Sequence, residues 1–481
     1  MTDYRHLYSP ERPTALVLSG TGADGAYHAG VLRALHDAGV KIDLVAGRGV
    51  GAASAMFAAV DGGARLWDAQ GLWRSARTPH LYRWAWPLRI VGWSLAASGV
   101  VLVSPLLFLA LAVIVYPAGA LLGMAGMEAG ASLVAAYAEL LRAAFEPARL
   151  PTWIPRMVTV LAGAALGAIA AGIVWTRWRT PLRRRAAGSR AWRLMGAPVD
   201  AAPAVNEVTR GLWDLLRGGT AIATPKAEDL SQRYCELLTE NLRQPGFKAL
   251  LMVAHDVDAQ RDVVFALLDE PARAAVLPGL GAPAARRAEA FDLGGEARRH
   301  LLDAVAGALT VPAACDPRLL RFGADTFWRG ETHRLADRPA SLSRVLEEVS
   351  AAGIEQVILV TAAAEPPGPH ELRRPRLDGL GRIGEQLAAD EAAAVRDAER
   401  QAMRLFEGVY VVRPAHNPIG PFDLDGAYDE RSDRHQRLEE LMERGFEDAH
   451  RLFVEPVLGA SGDRISEERG GGETRWENTP T

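Results

Sequence analysis

Cysteine is scarce in this chain. Its 481 residues include two, Cys235 and Cys315, which rules out a disulfide framework and reads as two buried reduced thiols in a cytosol-facing domain. A charge surplus is also missing. The formal net charge is −4, which argues against the basic surface that nucleic-acid binding requires. The first thirteen residues, MTDYRHLYSPERP, have no apolar core, so no secretory signal is expected there. No internal repeat or heptad run is present, which sets aside solenoid and coiled-coil architectures. His255, Asp256 and Asp258 lie close together but lack a matching set of donors, so neither a metal site nor a cofactor is expected. Finally, charge is absent from two long stretches, Ile90–Met127 and Met157–Thr176.

The stretch that organises the chain is Ile42–Val60. An apolar strand (Ile42–Ala46) runs through a glycine-rich turn, Gly47-Arg48-Gly49-Val50-Gly51, into an Ala-rich helix (Ala52–Val60). Strand, Gly-x-?-x-Gly and helix together form the frame of a nucleophile elbow, which holds a serine at positive φ at the mouth of a sheet. Here the central residue is Gly49. Glycine takes positive φ at little cost, so the turn is expected to form, but without a reacting hydroxyl.

An earlier strand, Ala15–Ser19, leads through Gly20-Thr21-Gly22-Ala23-Asp24-Gly25 into a helix, Ala26–Ala38. This loop admits three readings: a dinucleotide fingerprint with pyrophosphate on the helix N-terminus, an oxyanion loop whose backbone N–H groups face developing negative charge, or a tight turn without a ligand. Asp43 stands near the distance of the ribose-binding acid but precedes the apolar part of the second strand, which disfavours the first.

SGTGADGAYHAGVLRAL, followed by DLVAGRGVGAASA, resembles the patatin-like phospholipase family. The resemblance implies an α/β sandwich on a mostly parallel sheet, acyl-lipid substrates and a Ser–Asp dyad without histidine. It places Gly20, Thr21, Gly22 and Gly25 in the oxyanion loop and Gly47, Gly49 and Gly51 in the elbow, with Gly49 where the family has serine. Asp337 falls at the family's acid position. There Asp337-Arg338-Pro339 replaces Asp-Gly-Gly or Asp-Gly-Ala, and Asp24 stands where the family usually has Arg or Lys. A carboxylate beside an oxyanion site opposes the charge that develops there, although helix capping also accounts for it. The nearest hydroxyls are Ser19, which ends a strand, and Ser54, inside the helix and expected to point away from the elbow's mouth. A literal Asp425-Gly426-Ala427 comes later than the family order and reads as a turn.

The two uncharged stretches are long enough for membrane helices, which need about 20 apolar residues. Tyr82, Trp84, Trp86 and Trp93 flank one, Trp175 and Trp178 the other, with Pro105 and Pro117 as bends. Arg74, Arg77, Arg83 and Arg89 precede the first span; Arg177, Arg179, Arg183, Arg184 and Arg185 follow the second. Both outer flanks are therefore expected in the cytoplasm, with residues 128–156 as a connecting loop.

The resulting expectation is an α/β domain interrupted by a transmembrane helical hairpin. It comprises a flexible arm (1–13), a first part (14–75), the inserted hairpin (76–185, spans about 90–116 and 157–176), a second part (186–461) and a disordered tail (462–481). In the second part, residues 280–298 read as a surface loop, and Ala249–Ala254 with Val263–Phe265 as a hairpin. The expected protein sits in the inner (cytoplasmic) membrane with its α/β domain facing the cytoplasm, binds membrane lipid and no nucleic acid, and is catalytically impaired because Gly49 replaces the elbow serine, keeping lipid or partner binding; the protein partner is unknown. The alternatives are an active acyl hydrolase with an unassigned nucleophile, and a nucleotide-binding membrane protein using the Gly20–Gly25 loop.

Overall fold

Seven consecutive residues, Thr14–Gly20 (β1), are all buried, as expected for a parallel strand covered on both faces. In the computed structural model, which describes residues 8–146, 150–179, 197–218, 223–277, 279, 282–368 and 375–459, β1 lies inside a mixed, mostly parallel sheet. After helix α1 (Asp24–Asp37), β2 (Leu44–Gly49) pairs with β1, and helix α2 (Val50–Ala59) follows without a break. The later strands are β3 (Ala249–Asp256), β4 (Arg261–Leu267), β5 (Ala290–Asp292), β6 (Arg318–Arg321), β7 (Thr332–Ala336), β8 (Gln356–Thr361) and β9 (Gly408–Val412). Among the described residues their order is β9-β8-β1-β2-β3-β4-β5, with β7 beside the end of β3 and β6 paired to β7. From β9 to β3 every pairing is parallel. The β3–β4 pair is the expected antiparallel hairpin. The fold is α/β with a mostly parallel central sheet.

Side-chain alternation then assigns the faces. Ala15 and Val17 of β1, Leu44 and Ala46 of β2, Leu251 and Val253 of β3, and Val357 and Leu359 of β8 share one core with helices α9 (Leu342–Ala351) and α10 (Gly379–Leu405). The opposite face carries α2, every residue of which is buried, and α8 (Leu301–Ala308), on which α6 (Ala202–Leu216) and α7 (Ala227–Asn241) pack. The chain runs from β1 to β2 and β3 on one side, while β8 and β9 join on the other. The loop after β1 therefore stands at the point where strand order reverses, the usual place for a ligand in an open α/β sheet.

Two expectations are corrected. Residues 280–298 are not simply a loop: Ala284–Glu289 is a helix and Ala290–Asp292 is β5. Phe291 stacks on Phe265 at 5.7 Å, and that burial draws the segment onto the sheet edge. Asp425–Ala427 is a turn with Gly426 at φ 95°, but it leads into a small hairpin, Ala427–Asp429 with Arg434–Gln436, before the last regular helix, α11 (Leu438–Ala449). Both cysteines are buried and free.

The described residues form two compact units, one drawn from 1–83 and 200–481 and one from 84–199. The second unit is helical. Its α3 (Trp86–Met124) has 39 residues, bears Pro105 and Pro117, and is followed by α4 (Ala129–Phe145) and α5 (Leu150–Arg179). The expected 128–156 loop is thus mostly helix, because its Ala, Leu and Glu residues favour one and α4 packs back on α3. Tyr137 donates its hydroxyl to the Phe108 carbonyl at 2.7 Å, and Gly119 and Gly130 let the two backbones approach. α3 and the Trp153–Trp175 part of α5 are long and apolar enough to cross a membrane, and 6% of each apolar window is buried within the protein. Arg183, Arg184, Arg185, the 462–481 tail and most of the N-terminal arm lie outside the described residues, as do the side chains of Arg177, Trp178 and Arg179.

Candidate functional site

The site lies at the carboxyl ends of β1, β2 and β8. On the α9/α10 face the apolar rows of these strands end in polar residues. Ser19 continues Ala15 and Val17, Arg48 continues Leu44 and Ala46, and Thr361 continues Val357 and Leu359. Strand register sets Thr361, Ser19 and Arg48 side by side, and all three are fully buried. Helix α10 faces them. Leu387, Glu391, Val395, Ala398 and Ala402 form its buried stripe, so its helical period delivers Glu391 to the end of that polar row.

Arg48 is the centre of the cluster. Its Nη1 donates to both carboxylate oxygens of Asp337 at 2.8 Å. Its Nη2 donates to Glu391, and its Nε to Ser19 Oγ at 3.1 Å. Ser19 in turn donates to Glu391 Oε1 at 2.7 Å. Asp337 follows directly on β7 and is fixed by its backbone N–H, which donates to the Thr310 carbonyl at 2.9 Å. Its carboxylate also accepts from Thr21 Oγ1 at 3.1 Å and from the Arg338 backbone N–H at 2.8 Å. One buried cation thus serves two buried carboxylates, and the acid's acceptor positions are all engaged.

Gly49 has φ 57° and ψ −138°, in the sparsely populated region that a nucleophile elbow imposes on its central residue. A Cβ built there would lie 3.0 Å from Asp337 Oδ2 but only 2.1 Å from the Gly20 carbonyl oxygen. The structure therefore brings Gly49 and Asp337 together and leaves no room between the strands for a side chain at 49. Gly47 and Gly51 face each other across the turn, where a Cβ on Gly47 would meet the Gly51 carbonyl at 2.4 Å.

The loop after β1 is also internally satisfied. The Thr21 N–H donates to Asp24 Oδ2 at 2.8 Å, and the Ala23 N–H donates to the Pro421 carbonyl at 2.9 Å. These two acceptor oxygens stand where a substrate oxyanion would accept from such a loop. Gly22 has φ 61°, and a Cβ on it would lie 2.0 Å from the same Pro421 oxygen. Gly25 packs under the Trp73 ring. Burial, opposed by the Thr21 N–H bond and by Arg48, raises the Asp24 carboxyl to about 6. Burial likewise lowers His28, whose Nε2 lies 3.1 Å from the Ser19 carbonyl, to about 4, leaving a neutral ring with Nδ1 unpartnered.

Ser54 is buried and borders a narrow apolar crevice beside the elbow. Val50, Ala53, Phe57, Leu66, Tyr82 and Val208 line it with about 20 Å³ of free cavity volume. His255, Asp256 and Asp258 do not converge. His255 binds Asp262 at 2.8 Å, Asp256 binds His333, and Asp258 pairs with Arg334 at 2.8 Å. Among the described residues no cluster of His, Cys, Asp or Glu is arranged to hold a metal.

Sequence reasoning missed Arg48, Glu391 and Pro421. The first two carried a signal: Arg48 shares strand parity with Leu44 and Ala46, and Glu391 sits four residues from both Leu387 and Val395. Pro421 carried none, since its carbonyl meets the loop only through tertiary contact.

A glycine-rich loop and a positive-φ elbow on adjacent parallel strands, with an aspartate between them, form an acyl-transfer frame. Residues 16–110 match the family model of patatin-like phospholipases, from within β1 through both motifs into α3. Over those residues the chain is similar to patatin-like phospholipases. Among solved structures, VipD from Legionella pneumophila is 12% identical, with 92% of this chain and 67% of that chain covered and a TM-score of 0.27. No curated protein matches the chain.

Arg48 and Asp24 can be tested separately. Arg48→Met strands two buried carboxylates and is expected to lower the unfolding free energy by about 3–5 kcal/mol; chemical denaturation of the variant measures this. An acid whose pKa is raised by folding binds more protons folded than unfolded, so its contribution to stability falls as pH climbs from 4 to 6, whereas His28 has the opposite slope. Asp24→Asn removes only the first effect. Its stability relative to the parent should grow as pH rises through 4 to 6 and then stay level, at about 1–3 kcal/mol, as read by urea unfolding at pH 4.5, 5.5 and 7.5.

Proposed function

We propose that this chain is a membrane-anchored patatin-like protein that has given up acyl-ester hydrolysis and retains the fold as a lipid-binding module. One observation carries the reading: the Asp337 carboxylate is engaged on both oxygens by Arg48 and faces a glycine. In a Ser–Asp dyad the acid must accept a proton from the nucleophile. Here no hydroxyl occupies the elbow, and a permanent cation replaces the proton donor. Losing a nucleophile leaves only the residual acceleration from binding and the oxyanion hole, and the loop's Thr21 and Ala23 amides already bond internal acceptors.

The crevice beside Val50 supports lipid binding through its apolar lining, which would accept the tail of an acyl chain once widened. Two features support anchoring. α3 and α5 expose large apolar side chains such as Trp93, Val113, Leu121 and Leu166, and burial in a bilayer would remove these from water. Arg74, Arg77 and Arg83 ahead of α3, with Arg89 in its first turn, would hold that flank in the cytoplasm.

Fatty-acid release from mixed phospholipid vesicles tests the catalytic half. The wild-type chain should stay at background, and so should Gly49→Ser, because the new Cβ meets the Gly20 carbonyl and Asp337 stays paired. Hydrolysis by the wild type that Asp337→Ala abolishes would overturn the reading. Alkaline carbonate extraction tests the anchor: the chain should remain in the membrane pellet, and its release to the supernatant would refute an integral location.

A further inference from the structure

The Ala23 amide is covered by a segment from near the end of the chain. Asn417 Nδ2 donates to the Ala362 carbonyl at 3.1 Å, anchoring the start of that segment at the end of β8. Gly420 N–H donates to Asp423 Oδ2 at 2.9 Å, closing a small turn that aims the Pro421 carbonyl at Ala23. Phe422 packs edge-on against Tyr82, a wall of the apolar crevice, at 5.8 Å. On its outer side both oxygens of Asp423 accept from the Arg376 guanidinium at 3.0 Å, while Ile419 and Leu424 are buried on its inner side. The Arg376 side of that pair is open to solvent, while Asp423 is mostly buried.

We propose that residues 417–424 form a displaceable strap, and that the carbonyl of an acyl lipid exchanges with the Pro421 carbonyl on the Ala23 amide when the strap lifts. The two oxygens are chemically alike, so the amide loses no hydrogen bond in the exchange. Lifting Phe422 away from Tyr82 opens the crevice wall at the same moment, and the crevice needs this because its free volume of about 20 Å³ admits no acyl chain as it stands. Arg376 sets how often the strap lifts without touching the glycine loop or the crevice, whereas Asp423 also holds the Gly420 amide that aims the Pro421 carbonyl. This inference rests on the lipid-binding reading above and adds its regulation: occupancy is set by the fraction of molecules with the strap open.

The test is photolabelling of the full chain with a diazirine-bearing palmitate, reading adducts on the tryptic peptide 49–65, which spans the inner crevice. Four proteins are compared: wild type, Arg376→Ala, Asp423→Ala, and Arg376→Ala combined with Ala53→Phe, which fills the crevice. Arg376→Ala and Asp423→Ala should each raise labelling of the peptide about fivefold, and Ala53→Phe should remove the gain. Amide exchange at Ala23 should quicken in both single variants and slow again when palmitate is added. Equal labelling in wild type and both single variants, suppressed by Ala53→Phe, would overturn the strap while leaving lipid binding intact. Absence of labelling in all four proteins, each shown folded by its thermal transition, would overturn the lipid-binding reading itself.

Discussion

A fully buried guanidinium must be answered by charge. Moving an arginine out of water costs several kcal/mol, recovered only where ion pairs and hydrogen bonds satisfy the whole fork. Arg48 meets that condition through Asp337, Glu391 and Ser19. These partners lie 289, 343 and 29 residues away in sequence, so one side chain ties β2 to β1, to helix α10 and to the turn after β7. The parts of the sheet on either side of residues 84–199 are thereby bound to one charge. The cluster does more to fix a unique arrangement than to add stability: an apolar core would be as stable, but it would not require these segments to meet in this register. Two carboxylates to one cation also leave the site short of positive charge. Burial of the neighbouring Asp24, with the Asp337 charge adding to it and the Thr21 amide and Arg48 opposing it, raises its carboxyl to about 6.

An acyl-transfer site works by leaving certain groups unpaired until substrate arrives. The oxyanion donors must be pre-oriented and empty, and the nucleophile must own its base. A buried unpaired donor costs about 1–3 kcal/mol, a cost that only turnover justifies. In this chain the Thr21 amide bonds Asp24, the Ala23 amide bonds Pro421, and the aspartate bonds Arg48. Each group that catalysis would hold open has an internal partner, while the elbow keeps its positive-φ backbone at Gly49.

Much of this was legible in the sequence, because local rules govern it. The strands β1, β2, β3 and β8 are continuous apolar runs, the glycine turns announce themselves, and the absence of serine at 49 is a matter of reading one letter. The pairing of Asp337 with the elbow was reached through family order alone, since nothing local in Leu335-Ala336-Asp337 points across the fold. Arg48 went unread because a lone arginine within a glycine turn looks solvated; only its parity with Leu44 and Ala46 tells otherwise. α4 went unread because its scattered charges, Glu139 and Arg142, resemble those of a loop, although helical spacing places both away from the Tyr137 face that meets α3. The Pro421 contact depends on where the chain returns after β9, which no local rule supplies.

The space at Gly49 carries the argument one step further than the missing hydroxyl. Glycine tolerates positive φ, so its presence alone would leave an elbow able to take serine back. The Gly20 carbonyl, however, stands 2.1 Å from where a Cβ would be, closer than real Cβ contacts allow. β1 has settled against β2 at this level, and Thr21 beyond it has reached the Asp337 carboxylate. A residue that lacks a Cβ removes the steric wedge between two parallel strands, and dense packing closes the gap. The geometry of the loop, the acid and the elbow thus depends on position 49 carrying no side chain.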